Sequence, residues 1–150
     1  MTRAETPKVV PTPALLRHAR TTYGTAMRAA LAKAGYDDIP KNGLYVVGGL
    51  ALDEDYPLAA LIEDLQISKQ AAGQLVDTLV ERGYLEREVD SEDRRRLRLA
   101  LSARGRAAAK VQAAARARID AELTARVGEK NVESMRRALV SLIQIGREAQ

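Results

Sequence analysis

The sequence predicts a mainly α-helical protein with one small β-hairpin. Hydrophobic residues make up 46% of the 150-residue chain and aromatic residues only 3%. The core therefore consists of Ala, Leu and Val, of which Ala and Leu favour helices. Most of the chain has apolar residues at helical spacing. Residues 84–89 and 97–101 instead form short alternating runs that are typical of strands.

The first part of the chain is predicted to contain a flexible arm and a long helix. Residues 1–12 are polar and contain prolines, which is typical of an extended or disordered arm. Thr12 is predicted to cap a helix that begins at Pro13. Proline suits the first helical position, because the N–H that it lacks would be unpaired there in any case. The apolar stripe of this helix continues to about Ala34, and Gly35 ends it.

A second, weaker helix is predicted from Ile39 and Pro40 to Ala51. Gly48 and Gly49 lie inside its apolar pattern and weaken it. A short strand over residues 44–47 is the alternative that the pattern leaves open.

Two helices joined by a tight turn are predicted over residues 57–82. Pro57 fits the first turn of the first helix, whose stripe has i, i+3, i+4, i+7 spacing and consists of Leu58, Leu61, Ile62 and Leu65. Ser68 is predicted to cap the second helix, and Gly83 to end it in a left-handed conformation. Its buried face is predicted to contain Ala71, Ala72, Leu75, Val76 and Leu79.

The opposite face of the second helix carries hydrogen-bond donors in its N-terminal half. This face consists of Lys69, Gln70, Gly73, Gln74 and Asp77. Lysine suits a phosphate or a guanine edge, and glutamine suits a bidentate contact to adenine. The pattern is typical of a helix-turn-helix whose second helix enters the major groove of DNA. An ordinary solvated helix face has the same composition, so these residues alone do not decide the function.

The hairpin that follows is predicted to form a basic wing beside this helix. In the second strand, Leu97, Leu99 and Leu101 are expected to point inward. The loop of residues 90–96 is acidic at first and ends in three arginines. From Arg94 to Ile119 there are nine Lys or Arg and no Asp or Glu. A stretch of one charge sign is an electrostatic footprint for phosphates, although the net charge of the chain is only +4.

Two further helices are predicted, from Ser102 to about Val127 and from Glu129 to Glu148, with a break at Gly128. Each has an apolar stripe. The apolar faces of the short helices and the hairpin are expected to pack against one another. The stripes of the two long helices therefore need another apolar surface to bury them.

This arrangement resembles the MarR family of winged helix-turn-helix transcriptional regulators. The family's wing signature is D-x-x-D-R-R, followed by any three residues and then by L-x-L-T-x-x-G. This sequence matches the signature, except that serine replaces the usual threonine. The matching positions are Asp90, Asp93, Arg94, Arg95, Leu99, Leu101, Ser102 and Gly105. Residues 67–71 and 75–85 are also similar to the family's second helix. The implied fold is a winged helix-turn-helix with N- and C-terminal dimerisation helices.

The resemblance implies which residues contact DNA. Those in the major groove or on phosphates are Ser68, Lys69, Gln70 and Gln74. Gly73 stands where the family usually has a small hydroxyl residue, and Gln74 where it often has Arg. Glycine costs a helix roughly 0.5–1 kcal/mol relative to Ala and removes a phosphate contact, or it allows close approach of the backbone.

At the wing, the resemblance implies a minor-groove contact by Arg94 or Arg95, with Arg96 in the same basic loop. The negative potential of a narrow minor groove attracts a guanidinium. Asp93 is expected to orient a neighbouring arginine through a carboxylate pair, because phosphates repel a carboxylate that faces them.

The resemblance also implies a homodimer that reads a pseudo-palindrome in double-stranded DNA with two recognition helices about 34 Å apart. Residues 13–150 then form one domain, with dimerisation helices in 13–52 and 103–150 and the winged unit in 53–102. A monomer with its terminal helices closed over one another is the alternative. The implied function is transcriptional regulation in the cytoplasm, with repression favoured over activation. A small-molecule effector is expected to release the protein from DNA, and the sequence does not predict which residues bind it. A winged-helix dimer that binds proteins, with weak or lost DNA binding, is the alternative function.

Several other classes are not supported. The chain has no cysteine and a single histidine, His18, and no phosphate loop or nucleophile elbow, so we predict no enzyme and no cofactor. The adjacent carboxylates of Asp53 to Asp55 could attract a hard cation, but consecutive residues do not converge on one ion without a shaped loop. We therefore predict no metal site, and no membrane span, because no apolar run approaches about 18 residues.

Overall fold

The computed structural model describes residues 10–54, 58–90, 92–95 and 97–150, with the backbone alone at residues 58, 61 and 97. Six helices and two strands follow in the order α1 (Thr12–Lys33), α2 (Gly43–Leu52), α3 (Leu58–Leu65), α4 (Lys69–Glu81), β1 (Leu85–Val89), β2 (Leu97–Leu101), α5 (Ala103–Val127) and α6 (Glu129–Glu148). The two strands form one antiparallel sheet. The predicted mainly α fold with a small β wing is therefore confirmed.

The chain divides into two compact units, residues 1–115 and residues 116–150. The core of the first unit draws on α1, α2, α4, both strands and the first half of α5. Its largest fully buried side chains are Leu31, Leu44, Val46, Val47, Leu79, Tyr84 and Leu85. The second unit holds the end of α5 and all of α6. Within α6, every residue of which the structure describes, no residue is buried.

The predicted N-terminal cap of α1 is wrong. Thr12 is the first helical residue, and Pro11 precedes the helix in an extended conformation with φ −60° and ψ 146°. The Pro11 carbonyl accepts the N–H groups of Ala14 and Leu15 at 3.0 and 3.2 Å, and the cap position makes no side-chain hydrogen bond. A cap hydroxyl would pair the N–H of the second or third helical residue. Pro13 has no N–H and the N–H of Ala14 already bonds to the Pro11 carbonyl, so a hydroxyl is unnecessary here. The predicted arm lies outside the described residues up to residue 9.

The second helix forms as predicted, but it begins at Gly43 and not at Ile39. The Pro40 carbonyl accepts the N–H of Gly43 at 2.8 Å, so residues 39–42 form a turn before the helix. The alternative strand over residues 44–47 is wrong. Leu44, Val46, Val47 and Leu50 are all buried, and this broad apolar surface outweighs the low helix propensity of the internal glycines.

Two helices end in the same motif and so bring two tyrosines together. At the end of α1, Gly35 has φ +88° and Tyr36 donates its N–H to the Leu31 carbonyl at 2.8 Å. At the end of α4, Gly83 has φ +82° and Tyr84 donates to the Leu79 carbonyl at 2.9 Å. These are Schellman motifs, in which a left-handed glycine lets the next residue bond back to the last turn. The rings of Tyr36 and Tyr84 then pack edge to face with centroids 6.2 Å apart.

A polar cluster closes this corner. The fully buried Tyr84 donates its hydroxyl to Asp38 Oδ1. Arg104, in the first turn of α5, donates to the Tyr84 hydroxyl at 3.0 Å and to Asp38 Oδ1 at 3.3 Å. Its guanidinium also lies 4.7 Å from the Tyr84 ring centroid and 5.3 Å from that of Tyr36. The cluster therefore joins the loop after α1, the end of α4 and the start of α5.

This cluster predicts how stability depends on pH. Burial, with the hydrogen bond to Asp38, raises the pKa of Tyr84 from 10.0 to about 12. The stabilisation is present in full below pH 10 and is lost as the pH rises towards 12, because the unfolded phenol ionises first. Tyr84→Phe is expected to lower the free energy of unfolding by about 1 kcal/mol at pH 8, and the gap to the wild type should narrow by pH 11. Urea unfolding at the two pH values measures it, and a gap of constant size would contradict the assignment.

Candidate nucleic-acid interface

The candidate interface begins with the turn between α3 and α4. Gln66 has φ +53°, which turns the chain after α3. Ser68 is extended and its Oγ accepts the N–H of Ala71 at 3.1 Å, which confirms the predicted cap. The cap satisfies a donor that would otherwise be unpaired at the start of α4.

The orientation of α4 agrees with the sequence-based prediction. Ala72, Leu75, Val76 and Leu79 are buried, and Ala71 is half-buried. The opposite face is exposed and consists of Lys69, Gln70, Gly73, Gln74 and Asp77. The first unit thus presents lysine and glutamine donors on one rigid surface, and the side chains of Leu75 and Leu79 in the core fix its orientation.

The hairpin loop is shaped by its two aspartates. Asp90 Oδ1 accepts the N–H of Glu92 at 2.9 Å, and Asp93 Oδ1 accepts the N–H of Arg95 at 3.0 Å. Each bond closes an Asx turn, in which the side chain replaces a backbone acceptor. Asp93 therefore acts on the backbone beside Arg94 and Arg95. Its predicted carboxylate pair with an arginine side chain stays a prediction. The predicted contact residue Arg96 lies outside the described residues.

The wing strands hold this loop in a fixed register. Leu85 pairs with Leu101, and Val89 pairs with Leu97. Leu85 and Leu101 are buried, whereas Val89 at the loop end is 59% exposed. The hairpin is therefore anchored at its base, and its tip, with Arg94 and Arg95, is exposed to solvent.

An ion pair that the sequence did not reveal connects the wing to α4. Arg87 Nη2 of β1 lies 2.7 Å from Asp77 Oδ1 at the end of the exposed α4 face, and both side chains are largely exposed. The pair neutralises the one carboxylate of the five-residue face. Sequence patterns could not find it, because the partners are ten residues apart on elements of different periodicity.

On the prediction that the exposed α4 face contacts DNA, Arg87→Ala is expected to weaken duplex binding by about fivefold at low salt, because it leaves the negative charge of Asp77 unpaired on that face. The loss should shrink as salt is added. Asp77→Asn in the Arg87→Ala background should recover most of the affinity, since it removes the repelling charge. Fluorescence anisotropy with a duplex measures both, and a double variant as weak as the single one would contradict this role for Asp77.

Two further predictions concern metals and membranes. Within the described residues, no group of three or more His, Cys, Asp or Glu side chains could hold a metal ion; Asp55 of the acidic loop lies outside them. Among the described helices, none is both long and apolar enough to cross a membrane.

Comparison with known proteins finds a family match over the segment that contains α3, α4 and most of the hairpin. Residues 53–96 match a model of the MarR family. Comparison with curated protein sequences finds no match.

Solved structures have the same fold. The chain is similar to FabT of Streptococcus pneumoniae in complex with DNA, at 17% identity and a TM-score of 0.72, covering 91% of this chain and 95% of that one. It is similar to MepR of Staphylococcus aureus in complex with DNA, at 18% identity and a TM-score of 0.69, covering 90% and 98%. It is also similar to a MarR family protein of Mycobacterium tuberculosis in complex with salicylic acid, at 24% identity and a TM-score of 0.64, covering 90% and 98%.

Proposed function

We propose that this protein is a sequence-specific DNA-binding transcriptional regulator, because residues 53–96 match a model of the MarR family and the fold is that of solved MarR proteins. It acts as a homodimer on a pseudo-palindromic operator in double-stranded DNA. Its action is repression, because a dimer bound across a promoter excludes polymerase from it. It works in the cytoplasm and catalyses no reaction.

One observation carries the proposal: the first unit presents two surfaces of the kind that DNA requires. The first surface is the exposed α4 face, with Lys69, Gln70 and Gln74. Glutamine and lysine provide the donors and acceptors that read base edges in the major groove. The Ser68 hydroxyl and the N–H groups at the start of α4 suit a phosphate, because a helix N-terminus attracts anions.

The second surface is the wing tip. Arg94 and Arg95 are exposed, and the Asp93 turn fixes the backbone beside them. A guanidinium on a narrow hairpin fits the minor groove, where the negative potential is strongest in A·T-rich sequence. We assign Arg94 and Arg95 to this contact, with Arg96 beside them in the sequence.

The proposed dimer rests on α6. Met135, Leu142 and Ile143 lie on one face of this helix at i, i+7 and i+8 spacing, and their side chains are 41–55% exposed. An apolar face of this kind on a helix with no buried residue marks a surface that another chain covers. A second copy is the occupant that fits a regulator, because a two-fold dimer presents two α4 helices to successive major grooves.

The proposed effector is a small molecule that binds the dimer more tightly off DNA than on it. Such a difference in affinity is what allows a ligand to release DNA. Salicylic acid is bound to the Mycobacterium tuberculosis relative. In the first unit, a cavity of about 200 Å³ is lined in part by Arg28, Tyr36 and Asp37. This volume suits only a small ligand, since drug-sized molecules occupy about 300–1,000 Å³.

Selection from a random duplex library at near-physiological salt tests the proposal. A regulator should enrich one pseudo-palindromic sequence and bind it far more tightly than a scrambled duplex as salt rises, because non-specific binding is mainly electrostatic. Weak, salt-labile and equal binding to all duplexes would contradict it. That result would favour the alternative function, a winged-helix dimer that binds proteins.

A further inference from the structure

Gly73 has no role in the fold that would require a glycine. It lies inside α4 with helical backbone geometry, and it is not among the glycines with positive φ. A Cβ built on it meets no described atom within 4 Å. The fold therefore has room for a Cβ at this position, and alanine would make the helix more stable.

The position of Gly73 suggests why a side chain is absent there. It lies one turn after Lys69 and in the middle of the exposed α4 face, with Gln70 and Gln74 beside it. The middle of a recognition-helix face points to the floor of the major groove, where base edges lie, and its flanks point to the phosphates. What Gly73 presents to this floor is a bare Cα, because its N–H bonds within the helix.

A bare Cα is apolar and cannot read a donor or an acceptor. The one apolar group that bases present in the major groove is the C5-methyl of thymine. Without a Cβ, the helix leaves a methyl-sized space at this point, and Gln70 and Gln74 on either side are suited to adenine. We propose that Gly73 is a specificity-determining residue that accommodates the C5-methyl of a thymine against the backbone of α4. This inference rests on the proposed function.

The proposal predicts that the space at residue 73 holds one methyl group, either the C5-methyl of thymine or the Cβ of an alanine, but not both. On the duplex selected by the wild type, Gly73→Ala should bind at least tenfold more weakly, because two methyl groups compete for one space. Thymines of each half-site are then replaced one at a time by deoxyuridine, which lacks only the C5-methyl. One replacement should weaken the wild type by about fourfold per half-site. On that same duplex, Gly73→Ala should bind within about twofold of the wild type on the thymine duplex.

Two controls separate this coupling from other causes. The midpoint of thermal unfolding of Gly73→Ala should rise by about 2–4 °C, so weaker binding would not reflect misfolding. Lys69→Ala should lose affinity to the same extent on the thymine and deoxyuridine duplexes, since its contact does not involve the methyl group.

Three outcomes would overturn the inference, and they are distinguishable. If the wild type enriches no sequence, the proposed function fails and the inference fails with it. If a sequence is enriched but Gly73→Ala binds it as tightly as the wild type, the inference alone fails. It also fails if the loss in Gly73→Ala is the same with thymine and with deoxyuridine at every position.

Discussion

Replacing Gly105 with alanine is expected to lower the free energy of unfolding by about 3 kcal/mol or more, a large share of the roughly 5–15 kcal/mol typical of a domain. An added Cβ would lie 2.1 Å from the Tyr84 carbonyl oxygen and 3.0 Å from Leu101 Cδ2. The carbonyl cannot move aside, because it accepts the N–H of Ser102 at 3.1 Å. Ser102 in turn donates its hydroxyl to the Gly83 carbonyl and accepts the N–H of Gly105 at 3.0 Å.

Urea unfolding followed by circular dichroism, at one protein concentration, measures this change. Gly73→Ala is the matched control, because a Cβ there meets nothing within 4 Å and alanine favours the helix. It should leave stability unchanged or raise it. A Gly105→Ala protein within about 0.5 kcal/mol of the wild type would contradict the close approach of α5 to Tyr84.

The double variant Arg94→Ala/Arg95→Ala is expected to bind the selected duplex about a hundredfold more weakly at near-physiological salt, because it removes two exposed cations from each wing tip. The slope of log affinity against log salt should become shallower by about 4, since the dimer loses two cations at each of its two wings and releases fewer counterions. Stability should not change, because both side chains are exposed.

Anisotropy titrations at four or more salt concentrations measure both quantities. Lys33→Ala/Lys41→Ala removes the same charge from exposed positions outside the winged unit, and it should leave affinity and slope close to those of the wild type. If the wing variant keeps the wild-type affinity and slope, the wing does not contact DNA. If the lysine variant loses as much, net charge explains the effect.

Local sequence was sufficient to predict the caps and the exposed face of α4. The cap at Ser68, the left-handed Gly83 and the exposure of Lys69 and Gln74 were predictable, because helix caps and faces depend on residues within about four positions of one another. The helix end at Val127 and the break at Gly128 followed from the same rules. Whether these side chains contact DNA stays a prediction.

The local rules were incomplete where a neighbouring residue supplied the contact. The predicted cap at Thr12 is wrong, because the carbonyl of the preceding Pro11 accepts the N–H groups of Ala14 and Leu15. At Asp93, the side chain accepts the backbone N–H of Arg95, a contact that the sequence did not predict. The expected pair of Asp93 with an arginine side chain stays a prediction.

The sequence by itself determined the order of elements, most of their ends and the exposed face of α4, because hydrophobic period and turn chemistry act over a few residues. Only the tertiary structure decided the contacts between distant residues. It brings Asp38 to Tyr84 across 46 positions, sets Arg87 against Asp77 and leaves no room for a side chain at Gly105. Each of these depends on how helices and strands pack in space, and a linear pattern does not encode the distance between residues that meet only after folding.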